Sequence, residues 1–186
     1  MELKKFIKIY DDVIPIKALC NILRFANTCN FDVGKIDNDI VNTKIRSTKT
    51  KYLSNTSNSM TDVHWHNFLY KVFQEHLNKY KFDLNLINYK YDMIIDMGIL
   101  KYEVSDHYDW HYDHFATVPR TMSCILLLNN DYENGNLYFR NPDGSDEMKI
   151  ETVANRLIVW PSPFLFPHCV KPVTKGTRYS VVAWAL

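Results

Sequence analysis

Apolar and polar positions follow two rhythms along this chain, and the rhythm changes near residue 90. In the first half, Phe6-Ile7-Lys8-Ile9-Tyr10 alternates as a strand does, and Asp11-Asp12 closes it. Pro15 then opens a segment where Ala18, Leu19, Ile22, Leu23 and Ala26 recur at helical spacing. Residues 30–60 are rich in Asn, Ser, Thr and Lys, show little periodicity, and read as a long connection with one or two short strands. A second helix is predicted from about Thr61 to Tyr80, where Trp65, Phe68, Leu69, Val72, Phe73 and Leu77 form one apolar stripe.

From Tyr91 onward the pattern is that of strands. Tyr91–Glu103, Thr121–Leu128, Asn136–Arg140, Met148–Thr152, Arg156–Trp160, Leu165–Val170 and Tyr179–Leu186 are predicted strands. Turn signals such as Glu133-Asn134-Gly135, Asn141-Pro142-Asp143-Gly144 and Lys175-Gly176 separate them. Two helices followed by about seven short strands predict a mostly β fold with flanking N-terminal helices. The expected core is a double-stranded β-helix of the jelly-roll or cupin-like kind. Residues 1–90 would be mixed support and 91–186 the β-core of a single domain.

Composition narrows the function classes. The chain has 186 residues, 46% of them apolar, and a formal net charge of +1. Nothing resembles the basic stripe of a nucleic-acid binder, so no nucleic-acid partner is expected. No stretch approaches the roughly 20 apolar residues of a membrane span, and no membrane partner is expected. Cys20, Cys29, Cys124 and Cys169 show no C-x-x-C pair or repeated spacing, so a disulfide framework is not predicted. The N-terminus lacks the apolar run of a signal peptide, and a cytosolic, reduced protein is expected. The composition says nothing of oligomeric state.

Imidazoles and a carboxylate with open positions make the facial site of iron(II) oxygenases, so segments that combine them are the first to test. His111-Tyr112-Asp113 is such a segment, because in a strand residues i and i+2 point to the same side. His107 and Asp109 share that face, which leaves Asp109–His111 as a competing pair. His114 points the other way. A third ligand must come from the remaining histidines. His168 is the one in the C-terminal strands, and its neighbours Phe164, Leu165 and Phe166 are apolar. His64 and His66 lie two apart in the second helix, on nearly opposite faces, and cannot share an ion.

Ten residues after His168 comes Arg178, in Gly176-Thr177-Arg178-Tyr179-Ser180. An arginine near a metal calls for an anion, and a dicarboxylate cosubstrate would supply one through bidentate pairing. Ser180, on the same strand face, could add a hydroxyl. An arginine at a strand start also pairs readily with a surface acid, so Arg178 alone leaves both roles open.

The stretch from Tyr102 to Trp184 resembles the prolyl-4-hydroxylase-like branch of the 2-oxoglutarate and iron(II)-dependent dioxygenases. The likeness rests on Tyr102-Glu-Val-Ser-Asp-His-Tyr108-Asp-Trp-His111-Tyr-Asp113, on Arg120-Thr-Met-Ser123 with the following Ile125-Leu-Leu-Leu-Asn129, and on Asn134-Gly-Asn-Leu-Tyr-Phe139. It closes with His168-Cys-Val-Lys-Pro-Val, Gly176-Thr-Arg178-Tyr-Ser180 and Trp184. The resemblance implies His111, Asp113 and His168 as iron ligands and Arg178 on the distal carboxylate of 2-oxoglutarate, assisted by Ser180 or Ser123. It implies that Tyr102 bonds to the cosubstrate near the metal and that Tyr108, Arg120 and Trp184 line the substrate side. Core packing is the competing role for Tyr108 and Trp184.

Dioxygen would be the other cosubstrate, and ascorbate a stimulant. The implied reaction is hydroxylation of a C–H bond, with a prolyl residue in a protein or peptide as the leading substrate. A free amino acid or other small molecule is the alternative within that chemistry, and a non-oxygenase cupin-like metal protein the alternative outside it. Asp113 argues against a halogenase, where halide takes the carboxylate's place. Trp184, standing where alkylated-nucleic-acid repair enzymes carry a second arginine, argues against that branch. Ser105, Asn134-Gly135-Asn136 and Leu127 depart from the family pattern without removing a metal ligand. Ile125, Leu127, Val159 and Val181 are the expected hydrophobic walls.

Overall fold

The computed structural model describes residues 3–35 and 40–186. A short 3-10 turn, Leu3–Phe6, precedes strand β1, Lys8–Tyr10, and helix α1 spans Ile16–Thr28. Strands β2, Asp32–Val33, and β3, Lys49–Tyr52, bracket the polar connection, and helix α2 runs over Met60–Asp83. The Ser59 side chain starts α2 by accepting the Asp62 N–H at 3.3 Å. Trp65, Leu69, Val72, Phe73, Leu77 and Tyr80 are its buried face.

The second half supplies β4, Ile94–Tyr102; β5, Tyr108–His111; β6, Met122–Leu127; and β7, Glu133–Asn134. It continues with β8, Leu137–Phe139; β9, Met148–Lys149; β10, Arg156–Pro161; β11, His168–Val170; β12, Val173–Lys175; and β13, Arg178–Ala185. Glu133-Asn134, expected as part of a turn, instead pairs with β12 as a two-residue strand. A seven-stranded sheet has the order β1-β10-β6-β13-β4-β3-β2, and a four-stranded sheet the order β5-β11-β8-β9. This is the predicted jelly-roll core.

Alternation along the central strands sorts the side chains into two cores. On β13, Tyr179, Val181, Ala183 and Ala185 join Leu69, Phe73 and Leu77 of α2 on the helix side of the large sheet. Leu100, Ile125, Leu127, Ile158 and Val182 meet Leu137, Phe139 and Val170 between the sheets. Both faces of β6 and β13 are therefore covered, which is why these strands read as almost continuous apolar runs. Val159 and Val181, expected as walls of the site, lie in the helix-side core instead.

Two irregularities matter for the site. The four residues of β5, Tyr108–His111, face the three of β11, His168–Val170, so β5 carries an extra residue there. In β4, Asp96 has φ 53°, and Ile95–Gly98 faces Trp184–Val182 with a register shift. This bulge frees the Asp96 carboxylate from the strand's regular alternation.

Candidate metal centre and cosubstrate pocket

His111 ends β5 and His168 begins β11, directly opposite it in register. Asp113 lies just beyond β5, where its own N–H and that of His114 both donate to the Ser162 carbonyl at 3.2 Å. One ligand atom from each of the three side chains lies within 4.8 Å of the others, an arrangement that could hold a metal ion. His111 Nε2 is 3.7 Å from Asp113 Oδ1, and His168 Nε2 is 3.4 Å from Asp113 Oδ2. The other ring nitrogens are tied back: His111 Nδ1 lies 2.7 Å from the Asp109 carbonyl and His168 Nδ1 lies 3.1 Å from that of Phe166. Each carbonyl fixes the tautomer with the proton on Nδ1, leaving two Nε2 lone pairs to converge on one point beside a carboxylate.

The electrostatics favour ligation. Burial and the neighbouring His168 push the His111 pKa down to about 3, so the imidazole stays neutral and ready to bind a cation. Burial alone would raise Asp113, but His168 and His111 outweigh it, helped by hydrogen bonds from Ser123 and Trp184, and hold the carboxyl below its ordinary value. Ser123 Oγ donates to Asp113 Oδ2 at 2.6 Å and lies 2.8 Å from Ser162 Oγ. Ser123, expected near the cosubstrate, therefore orients a metal ligand. Tyr108 stacks on the His111 ring at 3.6 Å between centroids, 15° from parallel, and Arg46 caps its other face at 4.9 Å. Burial pushes the Tyr108 hydroxyl up to about 12, so it remains protonated.

A cavity of about 410 Å³ opens over the triad, walled by Leu100, Tyr102, Ile125, Leu137, Val170 and Val182. Behind Tyr102 lies Arg178, 0% exposed, its guanidinium carbon 4.8 Å from that ring. The two residues are cross-strand partners, which explains the contact. Arg178 Nη1 donates to Ser180 Oγ at 2.9 Å, while Nε and Nη2 have no partner. A buried guanidinium with two open donors is costly to keep unless an anion completes it. The donor set therefore fits iron with a dicarboxylate: two imidazoles and a carboxylate converge under the cavity, and an incomplete buried cation lies against Tyr102 of its wall.

The sequence-selected residues fall into clear places. His111, Asp113 and His168 converge, Arg178 and Ser180 form the buried cation site, and Tyr102 lies against Arg178 while lining the cavity. Tyr108, Arg120 and Trp184 line the cavity. Asp109 is exposed and outside the cluster: the β5 bulge breaks the alternation that put it on the His111 face. His107 is also outside, its Nδ1 lying 3.3 Å from Ser47 Oγ. Sequence reasoning missed Arg46, Tyr52 and Asp96, which line the same cavity. Arg46 gets there because residues 45–47 pair with residues 107–109, including an Arg46–Tyr108 bridge. Asp96 reaches Arg120 Nη2 at 2.7 Å, and Arg120 lies 3.9 Å over the Trp184 ring.

A jelly roll that brings a His-Asp-His triad to the floor of a cavity is a candidate metal-binding fold. Residues 97–186 match the family model described as the 2OG-Fe(II) oxygenase superfamily. A PKHD-type hydroxylase of Synechococcus sp. (strain CC9902) is 38% identical over 90 residues, covering 46% of this chain and 39% of that protein. The chain thus spans about two fifths of the length of such curated relatives.

Among solved structures, a Trichoplax adhaerens prolyl hydroxylase in complex with a hypoxia inducible factor peptide fragment superposes with a TM-score of 0.77. It shares 18% identity, covering 97% of this chain and 83% of that one. The viral collagen prolyl hydroxylase of Paramecium Bursaria Chlorella virus-1, in its 2OG complex, gives 0.66 at 15% identity, covering 100% and 98%. The sequence likeness thus runs to PKHD-type hydroxylases and the fold likeness to prolyl hydroxylases.

Proposed function

We propose that the protein is a 2-oxoglutarate- and iron(II)-dependent dioxygenase that hydroxylates a C–H bond, with a prolyl residue in a protein or peptide as substrate. The observation that carries this reading is the buried Arg178 with two unfilled donors, packed against Tyr102, which lines the same cavity as the triad. A metal protein without an acidic cosubstrate has no use for that cation. His111, Asp113 and His168 would hold the iron, and Arg178 with Ser180 the distal carboxylate of 2-oxoglutarate.

When bound, iron(II) and 2-oxoglutarate supply the oxidant: dioxygen gives one oxygen atom to succinate, with release of carbon dioxide, and the other to the substrate as hydroxyl. The chain's own residues position and protect. Ser123 and Trp184 orient Asp113, and Tyr108 braces the His111 ring. Leu100, Ile125, Leu137, Val170 and Val182 keep the cosubstrate pocket dry. Tyr108, Arg120 and Trp184 would meet the substrate. A prolyl peptide as substrate draws support from the relatives' prolyl hydroxylase and PKHD-type names and the peptide in one neighbour's complex.

Anaerobic protein with iron(II) and 2-oxoglutarate should show the weak visible charge-transfer absorption of such complexes, lost in His168→Ala and kept in His107→Ala. Absence of that band, together with absence of succinate formation in air, refutes the oxygenase reading. Mass spectrometry of proline-containing peptides should then find a gain of one oxygen on proline. A gain only on free amino acids would move the substrate to the small-molecule class.

A further inference from the structure

Six aromatic side chains line the cavity, and five have their rings engaged by this chain. Tyr108 lies between His111 and Arg46, Trp184 under Arg120, Trp160 against Phe139 and His168, Tyr102 against Arg178, and Phe115 beside Tyr112. Tyr52 is the exception. Among the described residues its ring has no aromatic or cationic partner and its hydroxyl no hydrogen bond, and it remains 57% exposed while lining the cavity.

The ring is nonetheless held in place. Tyr52 ends β3 directly opposite Gly98 of β4. A Cβ built on Gly98 would lie 3.4 Å from Tyr52 Cδ1 and 3.1 Å from Thr50 Cγ2. The bare glycine lets both side chains settle onto the neighbouring strand, so one face of the tyrosine is backed by backbone. A half-exposed aromatic at a cavity mouth, seated but unpartnered, is a platform for an apolar ring brought by a ligand.

We propose that Tyr52 is a specificity-determining residue that receives the prolyl ring of a peptide substrate on its free face. This rests on the prolyl reading above and adds the element that selects proline over other residues. The pyrrolidine ring is compact and saturated, with C–H bonds polarised by the adjacent nitrogen, and packs on an aromatic face with little rotamer entropy to lose. Trp184, which also lines the cavity, has one ring face covered by Arg120, itself held by Asp96.

The test uses the full chain loaded with Mn(II) and 2-oxoglutarate, which assembles the site without turnover. Anisotropy of a dye-labelled oligoproline is compared with that of a glycine–serine peptide of equal length. Wild type should prefer the oligoproline. Tyr52→Ala should weaken oligoproline binding about tenfold and leave glycine–serine binding, 2-oxoglutarate affinity and the melting temperature unchanged, while Tyr52→Phe should bind like wild type. Unchanged oligoproline binding by Tyr52→Ala, or equal weakening of both peptides, overturns the assignment. A wild type without preference for oligoproline overturns the prolyl reading and Tyr52's role with it, whereas intact 2-oxoglutarate binding would leave the oxygenase reading standing.

Discussion

Replacing Arg178 by methionine should separate what this side chain does for ligand binding from what it does for the fold. In the ligand-free protein the guanidinium is 0% exposed, makes one hydrogen bond to Ser180 and leaves Nε and Nη2 unpaired. Each unpaired buried donor costs about 1–3 kcal/mol. The Ser180 bond and the Tyr102 contact return about 2–5 kcal/mol together. Methionine fills most of the same space without polar atoms.

Setting low end against low end and high end against high end, the net change in stability is between about zero and +1 kcal/mol, or zero to about +4 °C in melting temperature for a chain of this size. Ligand affinity should move in the opposite direction. Truncating one partner of a buried charge pair costs about 2–5 kcal/mol, a loss of roughly thirty-fold to several thousand-fold for 2-oxoglutarate. Differential scanning fluorimetry with Mn(II) reads both quantities. Wild type at a hundred-fold excess over Kd should gain about 2.7 kcal/mol of stability from 2-oxoglutarate, and Arg178→Met at the same concentration about 0.9 kcal/mol at most. A ligand-free variant that melts more than about 6 °C below wild type, or one that keeps the ligand-induced shift, would show that Arg178 is a structural residue and not the carboxylate anchor.

Other perturbations test the supporting parts. Ser123→Ala removes the 2.6 Å bond to Asp113 and should lower metal affinity about ten-fold with little loss of fold, measured by Co(II) titration; unchanged affinity would remove Ser123 from the site. Metal-free protein should lose stability as pH falls from 6.5 towards 3. The unfolded chain protonates His111 near 6.5, whereas the folded imidazole resists until about 3, so the unfolded state binds the extra proton throughout that window. Urea titrations of His111→Gln should show a shallower pH slope there, and an identical slope would refute the assignment. Gly176→Ala places a Cβ 2.9 Å from the Asp131 carbonyl at φ 79° and should cost about 2 kcal/mol or more; wild-type stability in chemical denaturation would contradict the geometry.

The outcome at particular residues separates what pattern can reveal from what it cannot. Helix stripes, strand runs and the jelly-roll class were legible because burial imposes period on sequence, and α2 and β13 are each sorted by that period into a core face and an opposite face. The triad was legible in part: alternation proposed His111 with either Asp109 or Asp113, and the resemblance to known oxygenases chose between them. The structure makes the same choice by a bulge in β5, a register event that leaves no signature in residue identity.

Arg46, Tyr52 and Asp96 were illegible for a related reason. They reach the cavity from a polar connection, a strand end opposite a glycine, and a bulge, none of which carries hydrophobic periodicity. Ser123 was chosen for one role and took another, because only the sheet register sets it between Trp160 and Trp184 with its hydroxyl on Asp113. By itself the sequence determined the alternation, the chemistry-bearing types and their order along the chain. Tertiary structure decided which of them share a point in space, since contacts among distant strands depend on pairing register and local bulges that no single segment encodes.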